Sequence, residues 1–537
     1  MQCLGIDGSS TTKDRMLNSS EKLIYRPWQG FYPPWIVLNA GKVWGVLRQM
    51  TSEEFFGPSD AEREIERINR IAKRIFWKTP QEREIVLIVP PTVYPPKEDT
   101  DLMARTLHTL PNPQNKRMLE VGCGSGALSI FAAHLGYHIT ACDINPFAVA
   151  ATRHAAQSNG IKAEIREGGP GPRSDGTIEQ WSGGIAHDLI VWNLPYMDTT
   201  DVSEMLGPFE DAALIDTDET GLVHRLLTAV EHGRLLNTGG VILLLVSNKY
   251  HGQKARYQAL KKGFAVRSIS KHCFEDGECL EVLGLWKPYE SSERIFETQV
   301  GSTNSDLLAS NKPEGTFLHA EIQTDGHGRR GRTWSHESRA FAGSWVIHEH
   351  NEQPKPGQMQ FKSGIALYEA ICALTDHETK VILKWPNDLL LNTETGLRKA
   401  GGILIESRSQ SRNTRAVLGI GCNLTSDSHQ KGEFEIATLD EIGIAISNKQ
   451  FARVLHASVA SMFEQKQGIP ALSNNEIISL YTECFSKGFE ALGAPFYRND
   501  AMVFESLQNT GELLLKDMQN KTHVVDEGEH VKWSNYR

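Results

Sequence analysis

The segment Glu321–Trp334, EIQTDGHGRRGRTW, constrains this chain more than any other stretch. Gly326, Gly328 and Gly331 alternate there with His327, Arg329, Arg330 and Arg332. Glycines let a loop wrap closely around a ligand, and a group of guanidiniums suits a phosphate oxyanion. Farther along, Lys384–Asp388 (KWPND) sets one lysine before a rigid Trp-Pro-Asn turn. Lysine is a point charge that can hold a carboxylate or phosphate without hydrolysing it. Together the two segments describe a site for a phosphorylated or adenylated carboxylate.

The order of the surrounding motifs narrows this. Gly301–Asn304 (GSTN) comes first, then the glycine–arginine loop, KWPND, Lys399–Glu406 (KAGGILIE) and Gly419–Leu424 (GIGCNL). The series resembles biotin–protein ligases over about 290–537. The resemblance implies a class II synthetase-like α+β domain and a two-step reaction: biotin and ATP with magnesium give biotinyl-adenylate, which a lysine of a biotin carboxyl-carrier protein then attacks. It further implies that Ser302, Thr303, Asn304 and Gln323 hold biotin, that Arg329, Arg330 and Arg332 close over the adenylate, and that Trp334 packs near the adenine. Lys384 and Arg329 are the expected catalytic groups, and His327, Gly328, Asn387, Gly402 and Asn423 complete the biotin and ATP site. One departure stands out: the family's GRGRRG reads GHGRRG here, with His327 in place of the first arginine. A histidine carries less charge than an arginine at neutral pH, so somewhat weaker retention of the adenylate is expected, without loss of activity.

At 537 residues the chain exceeds one ordinary domain, and roughly three or four are expected. A hydrophobic content of 40% with 23% charged residues is that of a soluble globular protein. The net charge of −10 argues against a general nucleic-acid coat, though not against a local basic site. Eight cysteines without a CxxC pair read as a reduced cytoplasmic protein lacking a structural zinc. No apolar run approaches the roughly 18 residues of a membrane span, and the N-terminus lacks an apolar signal core.

Residues 1–84 form an extension whose role is not legible, rich in Trp, Tyr, Pro and Gly over Leu23–Val46. Helical spacing of Ile65, Ile68, Ile71 and Ile75 predicts a helix over Pro58–Trp77. Ile85–Val89 reads as a buried strand and Asp101–Leu110 as an amphipathic helix. Then Met118–Gly126, MLEVGCGSG, is an apolar strand running into a glycine turn, the arrangement that brings backbone close to a cofactor at a strand's carboxyl end. The next strand, His138–Cys142, leads to Asp143, an acceptor suited to a ribose diol. Those features alone leave a dinucleotide fold open. Asp188–Tyr196, DLIVWNLPY, is a strand ending in Asn193-Leu194-Pro195-Tyr196. The asparagine oxygen and a backbone carbonyl before proline can accept hydrogen bonds from a planar amide or amine, and the tyrosine ring can stack on it. Catalysis there is mostly positioning of a poor nitrogen nucleophile.

With YPPKEDTDLM and DINPFAVAATRHAAQSNG, this set resembles S-adenosylmethionine-dependent N-x-P-Y methyltransferases, most of all the glutamine methyltransferases of peptide-chain release factors, over about 85–287. The resemblance implies a Rossmann-like domain in which Glu120, Gly122, Cys123, Gly124, Gly126 and Asp143 hold S-adenosylmethionine while Asn193, Pro195 and Tyr196 face the target nitrogen. Leu194 replaces the family's first proline, and Asn-Leu-Pro-Tyr is also seen in adenine-N6 methyltransferases of ribosomal RNA. RNA adenine is therefore a rival acceptor; a malonyl-carrier carboxylate, which would fit a fusion to a biotin enzyme, is another, although Asn193–Tyr196 speaks against it because a carboxylate needs no amine acceptor, and a non-catalytic docking module is the third reading. Lipoate ligation is the rival reading of the C-terminal half.

The polar segment Lys287–Ser292 marks the boundary between halves, so the expected domains are 85–287, a ligase domain over 288–488 and a small SH3-like barrel over 489–537. Strands are expected at Phe341–Ile347, Gly401–Glu406 and Ala416–Gly421, and helices at Phe361–Leu374 and Phe451–Gln465. His319, His336, His348 and His350 lack metal-ligand spacing and read as packing or surface residues, and no metal site is expected. A winged-helix DNA-binding domain, which regulatory ligases carry ahead of the catalytic domain, is replaced here by the methyltransferase-like region. A homodimer is left open.

Overall fold

The structure is a computed structural model. It describes residues 71–171, 177–195, 197–198, 215–216, 221–249, 252–332, 334, 340–350, 355–410, 413–425 and 436–536. Readings that fall on residues 1–70, on Tyr196 or on His336 lie outside the described residues. The chain divides into two compact units, Met1–Gly252 with Ser268–Gly284, and Gln253–Arg267 with Leu285–Arg537.

The first unit opens on an antiparallel pair, β1 (Lys73–Lys78) and β2 (Glu84–Val89). The end of the helix predicted over Pro58–Trp77 is therefore a strand. Trp77 is buried opposite Ile85 while its neighbour Phe76 is 56% exposed, a period of two. Cross-strand burial of an aromatic outweighs the helical spacing of Ile71 and Ile75. Then follow α1 (Glu98–Thr109), β3 (Arg117–Val121), α2 (Ala127–Leu135), β4 (His138–Asp143), α3 (Pro146–Ser158), β5 (Ala163–Glu167), α4 (Ile178–Ser182) and β6 (His187–Asn193). Two-residue strands β7 (Met197–Asp198) and β8 (Ile215–Asp216) precede α5 (Leu222–His232) and β9 (Leu236–Ser247); α6 (Gly252–Lys261), counted almost wholly with the second unit, comes next in the chain, then β10 (Ala265–Cys273) and β11 (Cys279–Trp286).

Seven of these strands form one sheet in the order β10-β11-β9-β6-β3-β4-β5. β3 pairs in parallel with both β4 and β6, β4 with β5, and β6 with β9. The chain thus winds outward from β3 in one direction, then returns to β6 and winds outward in the other. That doubly wound α/β layout leaves a crevice at the carboxyl ends of β3 and β6, where such sheets bind ligands. The central strands carry the buried runs such a sheet needs, MLEV in β3 and VILLLV in β9. α3 starts where Pro146 occupies its first turn and the Asn145 side chain accepts from Phe147 N at 2.9 Å. Cysteine usage holds one surprise: Cys273 and Cys279, brought together at the facing ends of β10 and β11, form a disulfide, whereas the sequence reads as fully reduced. Spacing of six residues gives no motif; the turn between the strands supplies the proximity.

The second unit contains β12 (Arg294–Val300), α7 (Thr303–Ala309), β13 (Phe317–Gln323), β14 (Ala340–His350), α8 (Pro356–Cys372), β15 (Val381–Lys384), β16 (Asp388–Thr393), β17 (Gly396–Gln410), β18 (Asn413–Asn423), α9 (Asn448–Phe463) and α10 (Asn474–Ser486). Its sheet runs β12-β13-β14-β18-β17-β16-β15, with β12 and β13 parallel and every other neighbour antiparallel. α8 is buried along most of its length, which matches its apolar sequence. Beyond α10, six short strands, β19 (Pro495–Tyr497), β20 (Asp500–Ala501), β21 (Val503–Leu507), β22 (Leu513–Lys516), β23 (Thr522–Val525) and β24 (Val531–Trp533), make two three-stranded sheets, β20-β19-β24 and β21-β22-β23. Among the described residues no helix is long and apolar enough to cross a membrane.

Candidate functional site

In the second unit the residues predicted to hold biotin converge on the start of α7. Ser302 is extended and its hydroxyl accepts from Ser305 N, which caps the helix. Gln323, at the end of β13, accepts from Thr303 N at 2.8 Å and from Thr303 Oγ1 at 2.9 Å. With its oxygen so engaged, the Gln323 amide offers a ligand its NH2 group. The Asn304 amide donates to Glu406 Oε2 at 2.8 Å, and the Ser344 hydroxyl lies 2.7 Å from both Thr303 Oγ1 and Asn304 Oδ1. Thr303 and Asn304 are buried, so this chain of polar groups is high-stakes: each member must be satisfied. Ser344 and Glu406 were not singled out from the sequence. Glu406 is the last residue of KAGGILIE, but nothing local marks Ser344, which β14 carries in.

The glycine–arginine segment is the loop it reads as. Gly328 N donates to Arg332 O at 2.6 Å, and Trp334 N to Gly326 O at 2.9 Å, folding it back on itself. Arg330 and Gly331 both have positive φ, 60° and 71°, so the tight turn falls on Arg-Gly. Trp334 lies against β18: a Cβ on Gly421 would sit 2.5 Å from the indole Cζ2. Gly421 therefore makes room for the ring, and it pairs with Gly402 in the sheet. His327 points Nδ1 towards Asp325 at 3.7 Å rather than joining the arginines.

Lys384 ends β15, and its ammonium lies 3.2 Å from Asp388 Oδ2. The other oxygen of Asp388 meets Lys399 Nζ at 2.5 Å. Burial would raise the Asp388 carboxyl, but the Lys399 and Lys384 ammoniums outweigh it and hold it below the ordinary carboxylate range. Arg329 donates to Asn387 Oδ1 at 3.3 Å, and Asn387 donates to Ile403 O at 3.0 Å, which ties the loop to the KWPND turn. The glycine–arginine loop and the lysine-bearing turn therefore lie side by side. Asn423 ends β18 and donates to Ala437 O at 3.2 Å, a role in closing the strand end. Asp388 and Lys399 are residues that sequence reasoning missed, although both sit inside the quoted motifs.

The final strands also reach this site. Trp385 Nε1 donates to Gly511 O at 3.0 Å, and Lys384 Nζ sits 5.4 Å above the Tyr536 ring. Arg330 pairs with Glu527 at 2.5 Å and Glu529 at 2.7 Å, and Arg332 pairs with Glu529. No periodicity or motif in the final segment announces these contacts.

In the first unit, Gly122, Gly124 and Gly126 follow β3 with φ of 67°, 51° and 83°, a succession only glycine adopts at low cost. A Cβ on Gly122 would stand 3.1 Å from Trp192 Nε1 and begin to fill the cradle. Asp143 Oδ2 accepts from Gly124 N at 2.9 Å and Oδ1 from Asn145 N at 2.8 Å, which fixes the carboxylate beside the glycine turn. Burial pushes its carboxyl up to about 6. Glu120 is buried and accepts from the Ser129 hydroxyl; burial pushes it up to about 8. Cys123 is buried, its thiol raised by burial, and its N–H donates to Cys142 O at 3.0 Å. A buried carboxylate, Glu120, and a half-buried one, Asp143, beside a glycine cradle fit a ligand that brings positive charge and hydroxyl donors, as S-adenosylmethionine does. Asn193 ends β6 with its NH2 donating to Asp99 Oδ2 at 2.8 Å, and Pro195 follows beyond the end of the strand. Among the described residues no group of three or more His, Cys, Asp or Glu could hold a metal ion.

Comparison with known proteins places both halves. Residues 292–423 match the model of the biotin/lipoate A/B protein ligase family, and residues 97–194 that of ribosomal protein L11 methyltransferase. A biotin–[acetyl-CoA-carboxylase] ligase of Paracoccus denitrificans is 32% identical over 168 residues, covering 30% of this chain and 68% of that protein. A putative protein N5-glutamine methyltransferase of Methanocaldococcus jannaschii is 32% identical over 205 residues, covering 38% of this chain and 96% of that protein. Among solved structures, the biotin protein ligase of Aquifex aeolicus in complex with biotin and ATP superposes with a TM-score of 0.34 at 21% identity, over 45% of this chain and 99% of that one. The chain therefore belongs to two families, the biotin–protein ligases through its C-terminal half and, through its N-terminal half, the methyltransferases that include the Methanocaldococcus protein.

Proposed function

We propose that the C-terminal half condenses biotin with magnesium-bound ATP to biotinyl-adenylate and passes the biotinyl group to a lysine of a biotin carboxyl-carrier protein. The observation that carries this reading is the tie from Arg329 to Asn387 in the KWPND turn, whose next residue, Asp388, meets the Lys384 ammonium. Charge builds there on the α-phosphate and the carboxylate, where fixed cations stabilise the transition state most. Ser302, Thr303, Asn304 and Gln323 supply directional polar groups for the ureido ring and carboxylate of biotin, and Arg330 and Arg332 supply charge for the phosphates. The final strands form an SH3-like barrel whose Tyr536, Glu527 and Glu529 border the nucleotide. Lys384→Ala should abolish biotinyl-AMP formation in a biotin-dependent pyrophosphate–ATP exchange assay; exchange at the wild-type rate would remove Lys384 from the chemistry.

For the N-terminal half we propose S-adenosylmethionine-dependent methylation of a glutamine side-chain nitrogen in a protein, a release factor being the first partner to try. S-adenosylmethionine supplies an electrophilic methyl group when bound. Glu120 and Asp143 hold its polar ends, Gly122 and Gly124 admit it to the backbone, and Asn193 with the carbonyl before Pro195 orients the acceptor NH2. The buried Asn193 Oδ1, which meets no donor among the described residues, carries this reading. A ribosomal protein is the second acceptor, favoured by the match over residues 97–194. Incubating the protein with methyl-labelled S-adenosylmethionine and a lysate, then identifying the labelled macromolecule, separates protein from RNA and from malonyl-carrier acceptors. The methylating and biotinylating reactions both belong in the cytoplasm, where their acceptors are made.

A further inference from the structure

In the first unit's crevice, the orientation of the Asn193 amide is dictated by another side chain. Asp99 lies in the first turn of α1 and is 4% exposed. Both its oxygens are occupied: Oδ1 accepts from Thr100 N at 2.6 Å and Thr100 Oγ1 at 3.2 Å, and Oδ2 accepts from Asn193 Nδ2 at 2.8 Å. A carboxylate only accepts. The Asn193 amide must therefore turn its NH2 towards Asp99, since the flipped amide would set oxygen against oxygen. Its Oδ1 then points the other way, buried and with no hydrogen-bond partner among the described residues. A buried acceptor left unmet is costly, so a ligand that brings a donor to this oxygen is favoured over one that does not.

We propose that Asp99 is a positioning residue that sets the acceptor class of this site, restricting it to groups bearing a planar NH2 and rejecting carboxylates. The inference rests on reading the first unit as a methyltransferase, and it deepens that reading. A carboxamide or an aromatic amine donates a hydrogen bond to Asn193 Oδ1; a carboxylate would face it with a lone pair. Discrimination of this kind is large because the wrong ligand leaves a buried polar group unpaired. Asp99 touches neither methyl donor nor acceptor. It acts through Asn193, by removing one of the two amide orientations.

The test uses the full chain saturated with S-adenosylhomocysteine and two probes, N-acetylglutamine methylamide and N-acetylglutamate methylamide, with binding followed by ligand-observed NMR. The wild type should prefer the carboxamide by about tenfold or more. Asp99→Asn keeps its oxygen on the Thr100 donors and presents its NH2 to Asn193, which turns the Asn193 oxygen inward, so the carboxamide preference should be lost, to within about threefold or in favour of the carboxylate. Asn193→Asp, which sets two carboxylates together, should bind both probes poorly. Combining Asp99→Asn with Asn193→Asp rebuilds the pair with its polarity reversed. The amide now on α1 donates to one oxygen of the carboxylate now ending β6, and the other oxygen again faces the acceptor. This double variant should recover the carboxamide preference, which a merely structural role for Asp99 would not predict. S-adenosylhomocysteine affinity, read by calorimetry, should stay the same in all four proteins. No preference in the wild type, or a full preference surviving Asp99→Asn, overturns the assignment of Asp99. Failure of the wild type to bind S-adenosylhomocysteine overturns the methyltransferase reading itself.

Discussion

Replacing Asp388 by asparagine isolates what a carboxylate does between two lysines. Asp388 reaches Lys384 at 3.2 Å and Lys399 at 2.5 Å, with 17% of its side chain exposed. At an effective dielectric of about 20, a unit charge pair at the Lys384 separation attracts by about 5 kcal/mol. Desolvation of both partners offsets most of that, and a hydrogen bond between charged groups keeps a net worth of about 1.5–3 kcal/mol. Asparagine preserves the shape but withdraws the charge and presents an NH2 to one ammonium. Lys384 is then free to turn away from the phosphate towards the face of Tyr536. If about 2 kcal/mol of that clamping is realised in the transition state, adenylation slows about 30-fold. The assay is biotin-dependent pyrophosphate–ATP exchange, with KM for biotin expected to hold because the Ser302–Asn304 network is untouched. A stability arm checks the electrostatics. The folded carboxyl is depressed, so its contribution is present above the ordinary carboxylate pKa and is lost as pH falls through the folded value. The melting difference between wild type and Asp388→Asn should therefore shrink on acidification. Exchange within about twofold of wild type would refute the clamp and leave Asp388 a structural ion pair.

Three further outcomes follow from the geometry. Gly421→Ala puts a methyl 2.5 Å from Trp334 Cζ2, well inside a normal carbon contact of about 3.5 Å; KM for ATP should rise about tenfold with biotin affinity unchanged, measured by steady-state kinetics. Glu120 sits near a pKa of about 8. Its stabilising contribution is greatest below the unfolded carboxylate pKa and is lost as pH rises through about 8, whereas a cationic ligand favours the ionised form. S-adenosylmethionine binding should accordingly tighten from about pH 6 to about pH 8 with proton release, by calorimetry in two buffers, and Glu120→Gln should flatten the profile. Glu527→Gln with Glu529→Gln removes exposed partners of Arg330 and Arg332; exposed pairs add little stability, so the melting midpoint should hold while KM for ATP falls, because phosphate no longer competes with carboxylates.

Much of the chain was legible because its signals are local. The glycine turn after β3, the acidic end of β4 and the Asn-Leu-Pro-Tyr end of β6 are each spelled out in a few residues, and a doubly wound sheet brings strand ends of that kind into one crevice. The apolar α8 and the β17 and β18 runs were equally plain. Where local signals compete, the reading failed: isoleucines spaced for a helix lie at Ile71 and Ile75, yet Lys73–Lys78 is a strand because Trp77 gains more by facing Ile85 than by joining a helical stripe. The disulfide between Cys273 and Cys279 was likewise invisible, since only the turn between β10 and β11 makes six residues of separation a short distance.

The sequence by itself determined which groups are candidates for chemistry: the arginines and glycines of Gly326–Arg332, the lysine of KWPND, the glycines after Val121 and the asparagine at 193. Their identity is fixed by charge, by donor and acceptor count and by allowed backbone angles, all properties of single residues or of short stretches. Tertiary structure alone decided which way those groups face. Asp99 turning the Asn193 amide, Asp388 bridging Lys384 and Lys399, Ser344 joining Thr303 and Asn304, and Glu529 meeting Arg332 are pairings made by how strands, helices and loops pack. A hydrogen bond needs its partner within about 3 Å and correctly oriented, and no property of one residue or its sequence neighbours sets that distance.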